Sequence, residues 1–133
     1  MKRLVQFFSI FFSLFLFTGC IDGEDYQKTD IQLDIVNYTL PDTATVNVPF
    51  PLYLRTTTNS SCVSNLRFML TKENDKTTNV FGIGTYIYDG KSCYNVEVFE
   101  DSTINLTATQ VGEFYFNICS IYSYKVDTVV VIP

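Results

Sequence analysis

Two segments near the C-terminal end of the chain decide the fold: GEFYFNI at residues 112–118 and KVDTVVVI at residues 125–132. In the first segment, Phe114, Phe116 and Ile118 alternate with more polar residues, which places the three apolar side chains on one face of a β-strand. The second segment is rich in valine, whose branched side chain suits a pleated sheet. The two segments predict a closing pair of strands, with Phe114 and Phe116 buried between two sheets.

The same β pattern runs back through the chain to residue 31, and no stretch has convincing helical periodicity. Gly82 and Gly84 interrupt one apolar run, which indicates a bulge or a close approach of two backbones. Turn residues separate the runs at short intervals, and residues 72–78 (KENDKTT) have the composition of an exposed hairpin tip. The pattern predicts an all-β domain over residues 31–133, an antiparallel β-sandwich of about seven to nine strands. The strands before the closing pair are expected near residues 31–38, 45–48, 52–57, 66–71, 80–88, 94–98 and 104–106.

Composition excludes several classes of function. The chain has 133 residues, no His and 4 Cys, with 9 Lys and Arg against 14 Asp and Glu. This length allows one domain, and without histidine neither a His general base nor a His-containing zinc site is available. The formal charge of −5 disfavours a nucleic-acid partner, because phosphate backbones are bound by clustered Lys and Arg. We expect no cofactor and no metal.

Residues 1–19 have the features of an export signal. Lys2 and Arg3 precede an almost wholly apolar run at residues 4–17 (LVQFFSIFFSLFLF). A membrane-spanning helix needs about 20 apolar residues, so this run is short for an uncleaved anchor, which is the alternative interpretation.

The end of this signal, Phe17-Thr18-Gly19-Cys20, resembles a bacterial lipobox, with Phe17 in place of the usual leucine. The resemblance implies that residues 1–19 are removed and that Cys20 becomes an N-terminal cysteine carrying acyl chains such as palmitate, which anchor the protein in a membrane. The sequence IDGED that follows resembles the acidic stretch that directs lipoproteins of Bacteroidota to the outer face of the outer membrane. A solvated linker is the alternative, and residues 20–30 are a lipidated acidic tether under either interpretation.

The sandwich also has features of the immunoglobulin fold. The segment TATQVGEFYF at residues 107–116 resembles the corner before the penultimate strand of that fold, although phenylalanines stand where antibody domains have tyrosine and cysteine. The whole chain resembles small lipoproteins of Flavobacterium-like Bacteroidota that carry one immunoglobulin-like domain. The resemblance includes the loop TTNSSC at residues 57–62 and a second cysteine, Cys93. It implies a fold and a location but no active site.

Besides Cys20, the chain has Cys62, Cys93 and Cys119, which allow one disulfide and one free thiol. Cys62 and Cys93 both lie beside turns, where a bridge is geometrically easy. We expect this pair to be bonded and Cys119 to stay free. A bridge that involves Cys119, or a metal site of three thiols, is the alternative; export makes the metal site the weaker of the two.

Acids, tyrosines and threonines offer further candidate sites. The acidic pairs at residues 73–75 and 100–101 are expected to be solvated charges at hairpin tips. The nine tyrosines include a cluster in the last hairpin, at Tyr115, Tyr122 and Tyr124. An exposed tyrosine face would suit carbohydrate or protein binding, whereas β-propensity alone favours half-buried strand positions.

Thr43 lies in a short Asp-Thr-Ala pattern that resembles an O-glycosylation acceptor of Bacteroidota.

These observations favour a non-enzymatic lipoprotein of the cell envelope, anchored to the outer membrane through Cys20 and displayed on the cell surface. It would bind a protein or a glycan, or serve envelope structure. The alternative is an envelope hydrolase or inhibitor that uses acidic residues. Two carboxylates converging in a concave pocket would favour that alternative.

The lipobox resemblance generates a direct test. We expect mass spectrometry of the mature protein to find an acylated Cys20 as the N-terminal residue, because the signal is cleaved in front of the modified cysteine. A mature, water-soluble protein that begins at another residue would contradict the lipoprotein interpretation.

Overall fold

The computed structural model describes residues 26–133, which form eight β-strands, and the all-β class is confirmed. Within these residues, no helix is long and apolar enough to span a membrane. In chain order the strands are β1 (Tyr26–Thr39), β2 (Thr43–Thr45), β3 (Phe50–Thr58), β4 (Val63–Lys72), β5 (Thr77–Asp89), β6 (Val98–Leu106), β7 (Gly112–Cys119) and β8 (Tyr124–Ile132).

The strands form a curled mixed sheet with two layers that pack against each other. The first layer contains β4, β5, β7, β8 and β2. The second layer contains β3, β6 and the second half of β1. Leu52 of β3 and Val80 of β5 are both fully buried in the shared core. The rings of Phe50 in β3 and Phe116 in β7 lie 6.4 Å apart, edge to face, so aromatic packing joins the layers.

Strand β1 belongs to both layers. Residues 26–33 pair with β5, and residues 34–39 pair with β3. The register shifts between Ile35 and Asn37, and such a bulge lets a strand bend from one sheet to another.

The start of β1 corrects the expected domain boundary. Residues 26–30, which we expected within the tether, pair with residues 85–89 of β5 and are part of the sheet. The physical reason is that β5 extends to Asp89, so its backbone groups offer hydrogen bonds that the preceding chain can satisfy. The folded domain therefore includes Tyr26 and does not begin at Ile31.

The prediction of an antiparallel sandwich is wrong for two strand pairs, β2 with β8 and β5 with β7, which are parallel. Both sheets of an immunoglobulin-like sandwich are antiparallel. The mixed pairing of this sheet therefore differs from the immunoglobulin-like arrangement. Strand β7 pairs with residues 77–81 of β5, and β1 pairs with residues 82–89. These two strands therefore lie end to end along one side of β5, while β4 occupies the other side.

Neighbouring strands approach both glycines of β5 closely, through a backbone and a side-chain atom at Gly82 and through side chains at Gly84. A Cβ atom at Gly82 would lie 2.7 Å from Thr56 Oγ1 and 3.1 Å from the carbonyl oxygen of Leu33. At Gly84 it would lie 2.6 Å from Val63 Cγ1. The distances of 2.7 Å and 2.6 Å are shorter than a Cβ atom tolerates, so only glycine allows the neighbouring strands to pack this closely.

The prediction of a strand at residues 94–98 is wrong for residues 94–97. Strand β6 begins at Val98, and residues 91–97 are exposed and have no regular structure. The backbone N–H of Tyr94 donates to Ser61 Oγ, at 2.8 Å, and its carbonyl accepts from Ser61 N–H, at 3.0 Å. These bonds hold the segment against the β3–β4 turn, so its alternating apolar residues face solvent.

The burial expected for the closing strands is confirmed for Phe116, which is 4% exposed. Phe114 is half-buried at the margin of the same core. Gly112, the first residue of β7, has a φ of 122°, a backbone conformation that favours glycine.

This packing predicts the cost of truncating the central ring. Phe116→Ala is expected to lower the free energy of unfolding by about 3 to 5 kcal/mol, because the change leaves a cavity between the layers. Phe99→Ala is the matched control; its ring is 58% exposed beside Arg55, and its loss is expected to cost less than about 1 kcal/mol. Urea denaturation followed by circular dichroism measures both values, and equal losses would contradict the packing described.

Candidate functional site

The candidate site is the face of the first layer that points away from the core. On β5, β7 and β8, the outward side chains alternate with the buried Val80, Ile118 and Val129. The strand registers place these outward side chains in two adjacent rows that cross β4, β5, β7 and β8, and we call this surface the outer face. One row is Met69, Phe81, Cys119 and Tyr124, and the other is Thr71, Asn79, Asn117 and Val126.

A depression of about 380 Å³ lies on the outer face. Asn117 Nδ2 donates a hydrogen bond to Asn79 Oδ1, at 2.7 Å, and lies 3.5 Å from Glu73 Oε2. We call this concave surface the Asn79–Asn117 depression. Its lining is polar at one end and aromatic or apolar at the other: Glu73, Asn79, Phe81, Asn117, Cys119, Tyr124 and Val126.

Polar atoms of this depression remain open to solvent. Each asparagine amide has donor and acceptor capacity beyond the bond that the pair shares, and the Glu73 carboxylate has further acceptor sites. Among the described residues, no buried side-chain nitrogen or oxygen lacks a hydrogen-bond partner. The remaining capacity of the amides and the carboxylate is therefore directed to solvent, where a ligand can use it.

Seven of the nine tyrosines form two groups, and the other two, Tyr26 and Tyr94, are exposed outside the last hairpin. Four occupy half-buried strand positions, as β-propensity alone predicts: Tyr38, Tyr53, Tyr86 and Tyr88. Those of the last hairpin are exposed, with Tyr115 37%, Tyr122 96% and Tyr124 68% accessible. Tyr115 donates to Glu113 Oε2, which raises the pKa of the Tyr115 hydroxyl. The exposed group includes the ring of Tyr124, which borders the depression.

Cys119 forms part of the lining as an unpaired thiol. Its Sγ donates to the carbonyl oxygen of Asn117, at 3.4 Å. Burial raises the pKa of the Cys119 thiol, so the side chain is neutral at physiological pH. A neutral thiol is a weak nucleophile, and Cys119 therefore contributes an apolar wall.

The expected disulfide is confirmed: Cys62 is bonded to Cys93, with Cα atoms 5.3 Å apart. The bond ties the exposed segment before β6 to the turn between β3 and β4. A second, smaller depression of about 290 Å³ lies beside it and includes Tyr94 and Lys91 in its lining. Tyr94 is 71% exposed, similar to Tyr124, but lines this separate depression.

Three carboxylates described by the structure are held in ion pairs: Asp30, Asp89 and Asp101. Asp101 accepts from both Arg55 Nε and Nη2, and also from the hydroxyl of Tyr53. Asp30 accepts from Thr85 and Arg67. The hydrogen bond from Arg55 lowers the pKa of Asp101 most, and that from Thr85, with the nearby Arg67, lowers the pKa of Asp30.

The other sequence candidates do not join the depression, apart from one acid. Glu73 comes from the acidic pair expected at a hairpin tip, and its Oε2 lies 3.5 Å from Asn117 Nδ2. Asp101 lies within β6 and not at a tip. Thr43 is exposed at the start of β2, and Cys20 lies outside the described residues. Within residues 26–133, no group of three or more Cys, Asp or Glu side chains is placed to hold a metal ion.

Asn79 and Asn117 are site residues that the sequence pattern did not identify. Asparagine is depleted in β-strands, so an asparagine at an outward position in each of two strands was the available signal. What the sequence did not show is that β5 and β7 are neighbours in register, which brings the two amides together.

Comparisons with known proteins find no family model, no curated protein and no solved structure that matches the chain.

The cysteine arrangement generates a chemical test. Non-reducing peptide mapping is expected to find one bridge, between Cys62 and Cys93, and to find Cys119 open to alkylation without reductant. Alkylation of Cys119 is expected to be slower than that of a free cysteine at neutral pH, because its raised pKa leaves less thiolate. A peptide joining Cys93 to Cys119, or alkylation as fast as that of the free amino acid, would contradict this assignment.

Proposed function

We propose that this protein is a non-enzymatic binding module of a bacterial cell envelope, anchored to the outer membrane through lipidated Cys20 and displayed on the cell surface. The anchor is supported by the lipobox resemblance of residues 17–20 and by the acidic residues that follow. Cys20 precedes Tyr26, the first described residue of β1, by six positions. A chain of that length spans at most about 20 Å, so the anchored domain stays near the membrane.

The binding role is carried by one observation, the Asn79–Asn117 depression beside the exposed ring of Tyr124. A concave surface with a few convergent polar groups and an aromatic ring is the usual form of a ligand site. Exposed tyrosines offer large contact area with little loss of conformational entropy on binding.

The alternative of an acid-using hydrolase is less well supported by the carboxylates. Asp30 and Asp101 have lowered pKa values because each accepts hydrogen bonds from a cation or a hydroxyl. Such groups stay ionised at neutral pH and are poor general acids. Glu73 is the carboxylate that lines the depression, beside two amides. The lining of the depression contains two amides and no second carboxylate that could act with Glu73 as an acid–base pair. This composition favours ligand binding over acid–base hydrolysis.

Cell fractionation tests the anchoring and display. Wild-type protein is expected in the outer-membrane fraction and is expected to be cleaved when protease is added to intact cells. Cys20→Ala is expected in the soluble fraction, because it removes the acylated thiol. Cys119→Ala is the matched control and should fractionate as wild type, since Cys119 lies in β7.

Three outcomes would contradict parts of this proposal. Membrane retention of Cys20→Ala would contradict the lipid anchor. Protease resistance in intact cells, together with cleavage after the outer membrane is opened, would place the domain on the periplasmic side. Turnover of an envelope polymer by the purified protein would contradict the non-enzymatic role.

A further inference from the structure

We infer that the Asn79–Asn117 depression binds a glycan and that it selects neutral or amino sugars over uronic acids. This inference rests on the proposed binding function and names the ligand class of the same site. It combines four properties of the depression: its size, its hydrogen-bonding groups, its aromatic border and its charge.

The size is that of a small-ligand site. A volume of about 380 Å³ lies at the lower end of the range for such sites. The depression is also open along the outer face, because Tyr124 and Val126 at its border are 68% and 50% exposed. A short stretch of a longer glycan can therefore occupy it while the rest of the polymer continues over the surface.

The polar end provides complementary partners for sugar hydroxyl groups. A hydroxyl both donates and accepts, and a side-chain amide offers both functions in one plane. The bond between Asn117 Nδ2 and Asn79 Oδ1 fixes the two amides relative to each other. Their orientation is therefore set before a ligand arrives, which lowers the entropy lost on binding.

The aromatic border provides a surface for the apolar face of a sugar ring. Phe81 and Tyr124 lie in the same row of the outer face, on either side of Cys119. The neutral thiol of Cys119 and the methyl groups of Val126 extend this apolar surface. Sugar C–H groups make weak but favourable contacts with aromatic faces, so one ligand can use the rings and the amides together.

The shape favours a glycan over a protein partner. Protein interfaces derive most of their affinity from apolar anchors buried in well-packed pockets. Here one end of the depression is lined by two amides and a carboxylate, and the exposed aromatic ring of Tyr124 lies at its border. A hydroxyl-rich ligand satisfies such a surface, whereas an apolar anchor would leave its amides without partners.

The charge sets the sugar class. Glu73 supplies the negative charge in the lining, within 3.5 Å of the Asn117 amide. A uronate carboxylate placed there would meet an unfavourable like charge, whereas the amide or ammonium group of an amino sugar would not. The preference therefore follows from Glu73 and should weaken when that charge is removed.

The experiment uses the purified full-length lipoprotein in detergent micelles, on an array of short neutral, amino-sugar and uronic-acid oligosaccharides. Affinities for the bound oligosaccharides are then measured by calorimetry. We expect neutral or amino sugars to bind at least about tenfold more tightly than uronic acids. We expect Glu73→Gln to narrow that difference, because it keeps the shape and removes the charge.

Matched variants locate the site. Tyr124→Ala and Asn117→Ala are each expected to weaken binding at least about tenfold. Tyr94→Ala alters an exposed tyrosine outside the depression, so this control should bind within about twofold of wild type. Bound oligosaccharide should also slow the alkylation of Cys119, which lines the depression. Thermal unfolding of each variant confirms that it is folded.

Each contrary result has a defined meaning. No binding on the array, preference for uronic acids, or binding unaffected by Tyr124→Ala would overturn the glycan assignment. These results would leave the anchoring and display measured by fractionation intact. If the depression bound a protein instead, a purified envelope protein would protect Cys119 while every oligosaccharide failed to do so. Release of shortened sugars would overturn the non-enzymatic role, a failure distinct from loss of glycan binding.

Discussion

The fold depends on a buried hydrogen bond at the point where β1 passes from one layer to the other. Thr56 is fully buried, and its Oγ1 donates to the carbonyl oxygen of Asp34 at 2.8 Å. A hydroxyl remains stable in such a dry position because it is bonded. Gly82 makes the contact possible, since any larger residue would place an atom against Thr56 Oγ1. One bond and one missing side chain thus fix where the layers join.

This crossing also determines the candidate site. Because β1 pairs with residues 82–89 of β5, β7 pairs with residues 77–81. The turn after β7 is joined to β1, since Gln32 Nε2 donates to the carbonyl of Ser120 and Ile121 N–H donates to Asp34 Oδ1. The resulting parallel register sets Asn79 opposite Asn117. The polar part of the depression is therefore a product of the mixed sheet.

The sequence predicted the features that depend on local pattern. The alternation around Phe116 and the turn-side positions of Cys62 and Cys93 each had a local physical cause, and the structure confirms both. The sequence did not predict the pairing of β5 with β7 or the sheet residues before Ile31. Strand partners are chosen by contacts between residues that are far apart in the chain. Asn79 and Asn117 become a pair only through that choice, so pattern alone could not identify the depression.

The antiparallel pairing of β1 with β5 has a mechanical consequence for a domain held at its N-terminal end. The eight consecutive pairs between Tyr26 and Leu33 run along the direction in which a force applied at Tyr26 would pull. Such a force shears the ladder, so the hydrogen bonds share the load and do not open one after another. The depression lies on the other half of β5, so tension between the proposed anchor at Cys20 and a ligand in the depression would pass through this ladder.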